Sequence, residues 1–142
     1  MTTVRNLLDR KGSAIYSVEP DDPVLEAIEL MAEHHVGALL VMRGAELLGI
    51  VSERDYARKV ILMDRSAAET PVWQIMTAPV ITVTPDHSVT QCMQIVTDRR
   101  VRHLPVVSGD RVVGVVSIGD LVKTVIEEQQ QQIEQLERYI TS

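Results

Sequence analysis

The chain has 142 residues, a net charge of −6 and a hydrophobic fraction of 45%, enough for one packed domain or two small halves sharing a core. With no Phe, one Trp and three Tyr, that core has to be aliphatic. The acidic balance argues against a phosphate-backbone footprint, so no nucleic-acid partner is expected, and the single cysteine, Cys92, excludes an internal disulfide and a cysteine-rich zinc site.

Residues 4–8 suggest a short helix. A strand ends near Val18, and Pro20-Asp21-Asp22-Pro23 then opens a helix, with Asp22 expected as N-cap and Pro23 as its first residue. Val24, Ala27, Ile28 and Met31 keep helical spacing. An apolar strand over 38–42, a turn at Arg43-Gly44 and a strand over 47–51 make a hairpin. A second helix is expected just after Ser52. The longest uncharged run of this half, 36–42, is far too short to span a bilayer. The N-terminus shows no signal-peptide core. We therefore expect a soluble, cytoplasmic protein with no membrane partner.

The chain then repeats itself. Shifted by 65 positions, residues 18–60 align without a gap on 83–125, with identities that include Val18/Val83, Pro20/Pro85, Val36/Val101, Gly49/Gly114, Ser52/Ser117 and Asp55/Asp120. Two copies of this length indicate a two-fold module, not a solenoid. The segments ahead of each copy also echo: Val4-Arg5-Asn6-Leu7-Leu8 resembles Val72-Trp73-Gln74-Ile75-Met76. Here the offset is 68, so the first copy carries three extra residues around Lys11-Gly12-Ser13. The order β-α-β-β-α, twice, predicts an α/β (α+β) protein with two small sheets. We divide it into a first repeat with its lead-in helix (1–66), a second repeat (67–126) and a C-terminal helical tail (127–142). In the tail, Ile126, Ile133, Leu136 and Ile140 keep near-heptad spacing, with Gln129 in the remaining seam position. Two heptads are too few for a coiled coil alone. That helix either lies on its own domain or contacts a second subunit.

Both hairpins end in the same way: Gly49-Ile50-Val51-Ser52-Glu53-Arg54-Asp55 and Gly114-Val115-Val116-Ser117-Ile118-Gly119-Asp120. Ser followed three residues later by an acid is a capping-box pattern, which explains it without any ligand. A second reading is a binding site. A helix start offers free N–H groups and partial positive charge to a phosphate. Ser117 adds a hydroxyl. Asp120 can accept two hydrogen bonds from a ribose diol. Gly119 leaves room for close approach. Arg99, Arg100, Arg102 and His103 cluster within five residues, a local positive charge suited to one small anion.

These two stretches, the strand Val101-Arg102-His103-Leu104-Pro105-Val106-Val107 and the Ile75-Met76-Thr77 lead-in resemble the CBS domain family, and over nearly the whole chain they resemble a free-standing tandem pair (a Bateman-type module). The resemblance implies two repeats related by pseudo-two-fold symmetry, with clefts between them that bind AMP, ADP, ATP, NAD(H) or S-adenosylmethionine. It also implies pairing into a homodimer and a regulatory, non-catalytic role. By the same resemblance Asp120 and Asp55 hold ribose. Ser117, Gly119, Arg102 and His103 meet phosphate, as do Ser52, Arg54 and Arg58 in the first copy. Adenine lies near Ile15-Tyr16 and Val80-Ile81. No further cofactor is expected.

The copies differ. Gly37-Ala38 stands where the second has Arg102-His103, and Glu53-Arg54 where it has Ile118-Gly119. Glu53 would repel a phosphate, so the Asp120 site is the stronger candidate. His34 and His35, adjacent on a helix and about 100° apart, do not share an ion easily, and they align with Arg99-Arg100, so no metal site is expected. Cys92 aligns with Ala27 on a buried helix face. The preferred reading is an adenine-nucleotide sensor acting on a separate effector protein. The alternative is a structural dimerisation module with degenerate sites. An enzyme is disfavoured, because no general base or metal set accompanies the motif.

Overall fold

The structure, a computed structural model, describes residues 1–141. Its contacts divide the chain into two compact units that interleave along the sequence. One holds Met1–Ser13, Thr82–Ser108 and the chain from Gly114 onward; the other holds Ala14–Ile81 and Gly109–Val113.

In the second of these units, β1 (Ser17–Val18) pairs parallel with β2 (Ala38–Arg43), which pairs antiparallel with β3 (Glu46–Ser52). The β2–β3 turn is two residues long and begins at Gly44, whose φ of 62° suits glycine. Helix α2 (Val24–His34) buries Val24, Ala27 and Met31 against this sheet's apolar side, in one core with Val18, Leu39, Val41, Val51, Val60, Val72 and Ile75. The period of three and four residues in α2 is thus read out directly as burial.

The start of α2 differs from expectation. Its N-cap is Pro23, at φ −68° and ψ 145°, and no side chain caps it. Asp22 instead accepts the Glu19 N–H at 2.9 Å, folding the turn ahead of the helix. The helix's first N–H groups are met by backbone: Val24 donates to Thr70 and Leu25 to Ala67. A neighbouring segment takes over the capping that Asp22 would have provided. The second helix of this repeat starts where expected and is short. After Ser52 comes α3 (Glu53–Tyr56), which passes into a π-helical turn at Ala57–Ile61.

In the other unit, α4 (Val89–Arg99) starts from a full capping box, with Ser88 and Gln91 bonded reciprocally. It buries Val89, Cys92 and Val96. Burial pushes the Cys92 thiol up to about 11, so it stays protonated and acts as a small hydrophobe. Both α2 and α4 end on a residue in the left-handed conformation, His35 and Arg100, each at φ 54°. Strands β4 (His103–Ser108) and β5 (Arg111–Ser117) form a two-stranded sheet. The strand expected near Val83 shrinks to one parallel bridge with Val106. Helix α5 (Ile118–Thr141) is continuous and buries only Leu121 and Thr124. Of the tail assigned to 127–142, Ser142 lies outside the described residues; from 129 to 141 every residue is exposed, including Ile133, Leu136 and Ile140.

The interleaving has a local cause. Each lead-in segment adds itself to the start of the other repeat's first helix. Helix α1 (Val4–Lys11) is entered by a bridge of Thr3 with Ser88; Val4 donates to His87, Arg5 to Pro85, and Val89 to Thr2. The other unit repeats the pattern with a 3₁₀ turn at Val72–Gln74, where a longer helix is expected. There Pro23 bridges Pro71, Val72 donates to Asp22, Trp73 to Pro20, and Val24 to Thr70. The repeated glycines make room for these segments. A Cβ on Gly114 would stand 2.8 Å from Leu8 Cδ2, and one on Gly49 would stand 2.7 Å from Met76 Sδ and 3.0 Å from the Thr77 carbonyl. Gly114→Val is therefore expected to lower stability by ~1–3 kcal/mol through overpacking, and by clearly less in a Leu8→Ala background. Equal losses in both backgrounds, measured by denaturant unfolding, would contradict this packing.

Candidate functional site

The two Ser-x-x-Asp stretches both form helix starts. At α3, Ser52 Oγ accepts the Asp55 N–H at 3.2 Å, and Asp55 Oδ2 accepts the Ser52 N–H at 3.0 Å. At α5, Ser117 Oγ accepts the Asp120 N–H at 3.2 Å, and Asp120 Oδ2 accepts the Ser117 N–H at 2.8 Å. The capping reading thus holds in both copies. It does not exhaust the carboxylates, because each has about four lone-pair sites and the cap bonds only Oδ2.

Sequence reasoning did not pick out the lysines beside these carboxylates. Lys59 Nζ lies 3.2 Å from Asp55 Oδ1, one turn along the same helical segment, and also donates to the Ile75 carbonyl at 2.9 Å. Lys11 Nζ lies 2.6 Å from Asp120 Oδ2 and donates to the Val115 carbonyl at 2.8 Å. The only trace of Lys11 in the sequence is the three-residue surplus at Lys11-Gly12-Ser13. Burial alone would push the Asp120 carboxyl up. Hydrogen bonds from Lys11 and Ser117, with the Lys11 charge, outweigh it and hold the carboxyl below its ordinary 3.8. The contribution of this contact to stability is complete above that ordinary value and fades as pH falls through the lowered one.

The phosphate candidates fall into two groups. In the unit of α5, Ser117, Gly119 and Asp120 share the first turn, and the Arg102 carbonyl accepts the Ile118 N–H at 2.8 Å, which fixes the entry of β4 beside that turn. Arg102 itself is exposed and His103 half-buried. In the other unit the Gly37 carbonyl accepts the Glu53 N–H at 3.1 Å in the same way, but there the neighbouring residue brings no charge. Arg54 and Arg58 are exposed on α3 and the π-helical turn. Of the adenine candidates, Tyr16 stacks on His34 with ring centroids 3.9 Å apart, Ile15 is half-buried, and Val80 and Ile81 are half-buried in a stretch without regular secondary structure. The stacking gives His34 a packing partner, and among the described residues no group of three or more His, Cys, Asp or Glu is placed to hold a metal. Gly119 is open: a Cβ there would meet nothing nearer than Ser117 Oγ at 3.6 Å.

The duplicated hairpin-to-helix junction has counterparts in known proteins. The CBS domain model matches residues 4–62 and again 72–127. The chain belongs to the CBS domain family. The CBS domain-containing protein CBSX3, mitochondrial, of Arabidopsis thaliana is 40% identical over 148 aligned residues, covering 98% of this chain and 72% of that protein. Among solved structures, a CBS-domain protein from Burkholderia ambifaria is 52% identical with a TM-score of 0.87, covering 90% of this chain and 96% of that one. The CBS domain pair of MJ0100, solved with 5′-methylthioadenosine and S-adenosyl-L-methionine, shares the fold at a TM-score of 0.80 and 23% identity, over 90% of this chain and 98% of that one.

Within this CBS pair Gly119 is not demanded by the protein's own packing, whereas Gly49 and Gly114 are. Gly119→Ala is expected to leave the fold intact and raise stability by a few tenths to ~1 kcal/mol, from helix propensity and the restricted unfolded chain. A clear drop in melting temperature would show that the space above the first turn of α5 is already filled.

Proposed function

We propose that this protein is a regulatory module that binds an adenosyl ligand such as AMP, ATP or NAD(H) at the start of α5, and passes its occupancy to a separate effector protein. The observation that carries the reading is the first turn of α5. There Ser117 and Asp120 cap each other at the positive end of the helix, Asp120 Oδ1 takes no part in the cap and remains an acceptor for a ribose hydroxyl, and Gly119 leaves the approach open. The neighbouring MJ0100 pair was solved with two adenosyl compounds. Arg102 supplies the charge that distinguishes this turn from its counterpart at Asp55, where Glu53 opposes a phosphate. The module works in the cytoplasm as a non-catalytic sensor, and a ligand shifts its shape only through unequal affinity for two states. Among the described residues no helix is long and apolar enough to cross a membrane.

The protein acts as a homodimer on this reading. Helix α5 leaves Ile126 59%, Ile133 49%, Leu136 61% and Ile140 78% exposed along one seam, an apolar stripe with no cover from its own chain among the described residues.

Calorimetric titration with AMP, ATP, NAD(H) and S-adenosylmethionine tests the site. Asp120→Ala is expected to abolish the tighter binding event and Asp55→Ala to leave it in place. Arg102→Ala is expected to weaken AMP by at least about ten-fold while changing adenosine little, as loss of one charge-assisted contact. Flat titrations for every compound would favour a purely structural dimerisation module; equal loss of AMP and adenosine would remove Arg102 from the phosphate. For the dimer, Ile133→Glu with Leu136→Glu is expected to give a folded monomer by light scattering, and an unchanged mass would place the interface elsewhere.

A further inference from the structure

The two site carboxylates occupy matching positions, yet their lysines come from different parts of the chain. Lys59 is local, four residues from Asp55, and takes Oδ1 while the cap holds Oδ2. In the second repeat the matching position is Thr124, whose hydroxyl donates to the Asp120 carbonyl at 2.9 Å and leaves the carboxylate alone. The cation there is Lys11, which arrives from the last turn of α1, 109 positions away in sequence. It lands on Oδ2, the oxygen already used by the Ser117 N–H. Its second bond, to the Val115 carbonyl, holds the ammonium against the end of β5. Helix α1 stops one residue later at Gly12, whose φ of 96° and N–H to the Leu8 carbonyl fix where the lysine departs. Lys11 falls in the three-residue surplus of the first copy, so this contact has no twin at the other site.

A ribose diol and an ammonium ask the same thing of a carboxylate: both donate hydrogen bonds to its oxygens. Resting on the nucleotide reading above, we propose that Lys11 is a built-in competitor at Asp120: its ammonium holds Oδ2, one of the two carboxylate oxygens that a ribose diol would take. A diol that takes both carboxylate oxygens then requires Lys11 to leave Oδ2. The ligand replaces an ion pair by hydrogen bonds from uncharged hydroxyls, so affinity for a ligand without its own charge is held down. The contact is partly exposed, with side chains 36% and 26% accessible, so its hold is modest and salt weakens it. Displacement also removes the Lys11 tie between the end of α1 and β5, while Leu8 stays packed on Gly114, so the same event that admits the sugar reaches the lead-in segment. The Asp55 site lacks this coupling, because Lys59 belongs to the helical segment that carries its carboxylate.

The test uses the full chain and adenosine, a probe with a ribose and no phosphate. Lys11→Met is expected to tighten adenosine by about five-fold, the size of a partly exposed ion pair. Raising salt from 50 to 500 mM (roughly a threefold shorter screening length) is expected to tighten adenosine for the wild type and leave Lys11→Met unchanged. In the absence of ligand, carbon-detected NMR titration of the Asp120 carboxyl is expected to show a higher pKa in Lys11→Met than in the wild type. Adenosine binding as tightly or more weakly to Lys11→Met overturns the proposal while leaving the nucleotide reading intact. An unchanged Asp120 titration overturns it without reference to any ligand. Failure of adenosine to bind either protein removes the reading on which it rests.

Discussion

The docking of each lead-in segment onto the first helix of the other repeat is the constraint on which the rest depends. Two backbone strings, Thr2 to Arg5 and Thr70 to Trp73, satisfy the N–H and carbonyl groups that open α4 and α2. Buried backbone groups left without partners are costly, and this exchange meets them with main chain, whatever side chains lie nearby. It explains why Asp22 need not cap α2. It explains the repeated glycine before each Ser-x-x-Asp, which is set by Leu8 and by the Met76 side chain with the Thr77 carbonyl. It also carries Lys11 to Asp120, because α1 runs from its dock at Ser88 to the end of β5.

The candidate site inherits its geometry from that frame. A capping box and a ligand site are not competing descriptions of Ser117 and Asp120. The cap aims the hydroxyl and the carboxylate and fixes the first turn, and what remains is acceptor capacity at the positive end of the helix. Rigidity of this kind is what a binding site requires, because side chains already ordered by the fold lose little entropy when a ligand arrives. The two copies then diverge by single residues on a common frame. Arg102 against Gly37, Gly119 against Arg54, and Thr124 against Lys59 change charge, space and carboxylate partner without disturbing the cap.

Much of this was legible in the residues. The 65-residue repeat, the aliphatic hairpins and the paired Ser-x-x-Asp endings announce two related halves, and the apolar period of α2 and α4 marks the buried faces that the structure shows. What stayed hidden was long-range. No local pattern tells a lead-in to cap the other repeat's helix, since main-chain hydrogen bonds leave no trace in side-chain identity. The same blindness reduced the strand expected near Val83 to a bridge and replaced Asp22 with Pro23 as N-cap. Lys11 left only an insertion as its signal, and the ion pair it makes spans almost the whole chain. The tail was ambiguous by spacing alone; exposure from 129 to 141 shows that its seam is not laid on the chain's own core.

The central claim, that the first turn of α5 receives the sugar and charged end of an adenosyl ligand, is tested most directly by amide NMR mapping during titration with adenosine and then AMP. The account predicts that both compounds shift the amides of Ser117, Gly119, Asp120 and the end of α1, and that AMP adds shifts concentrated at Ser117, Ile118 and Arg102. Perturbations confined to other segments, or the same pattern for both compounds, would contradict it.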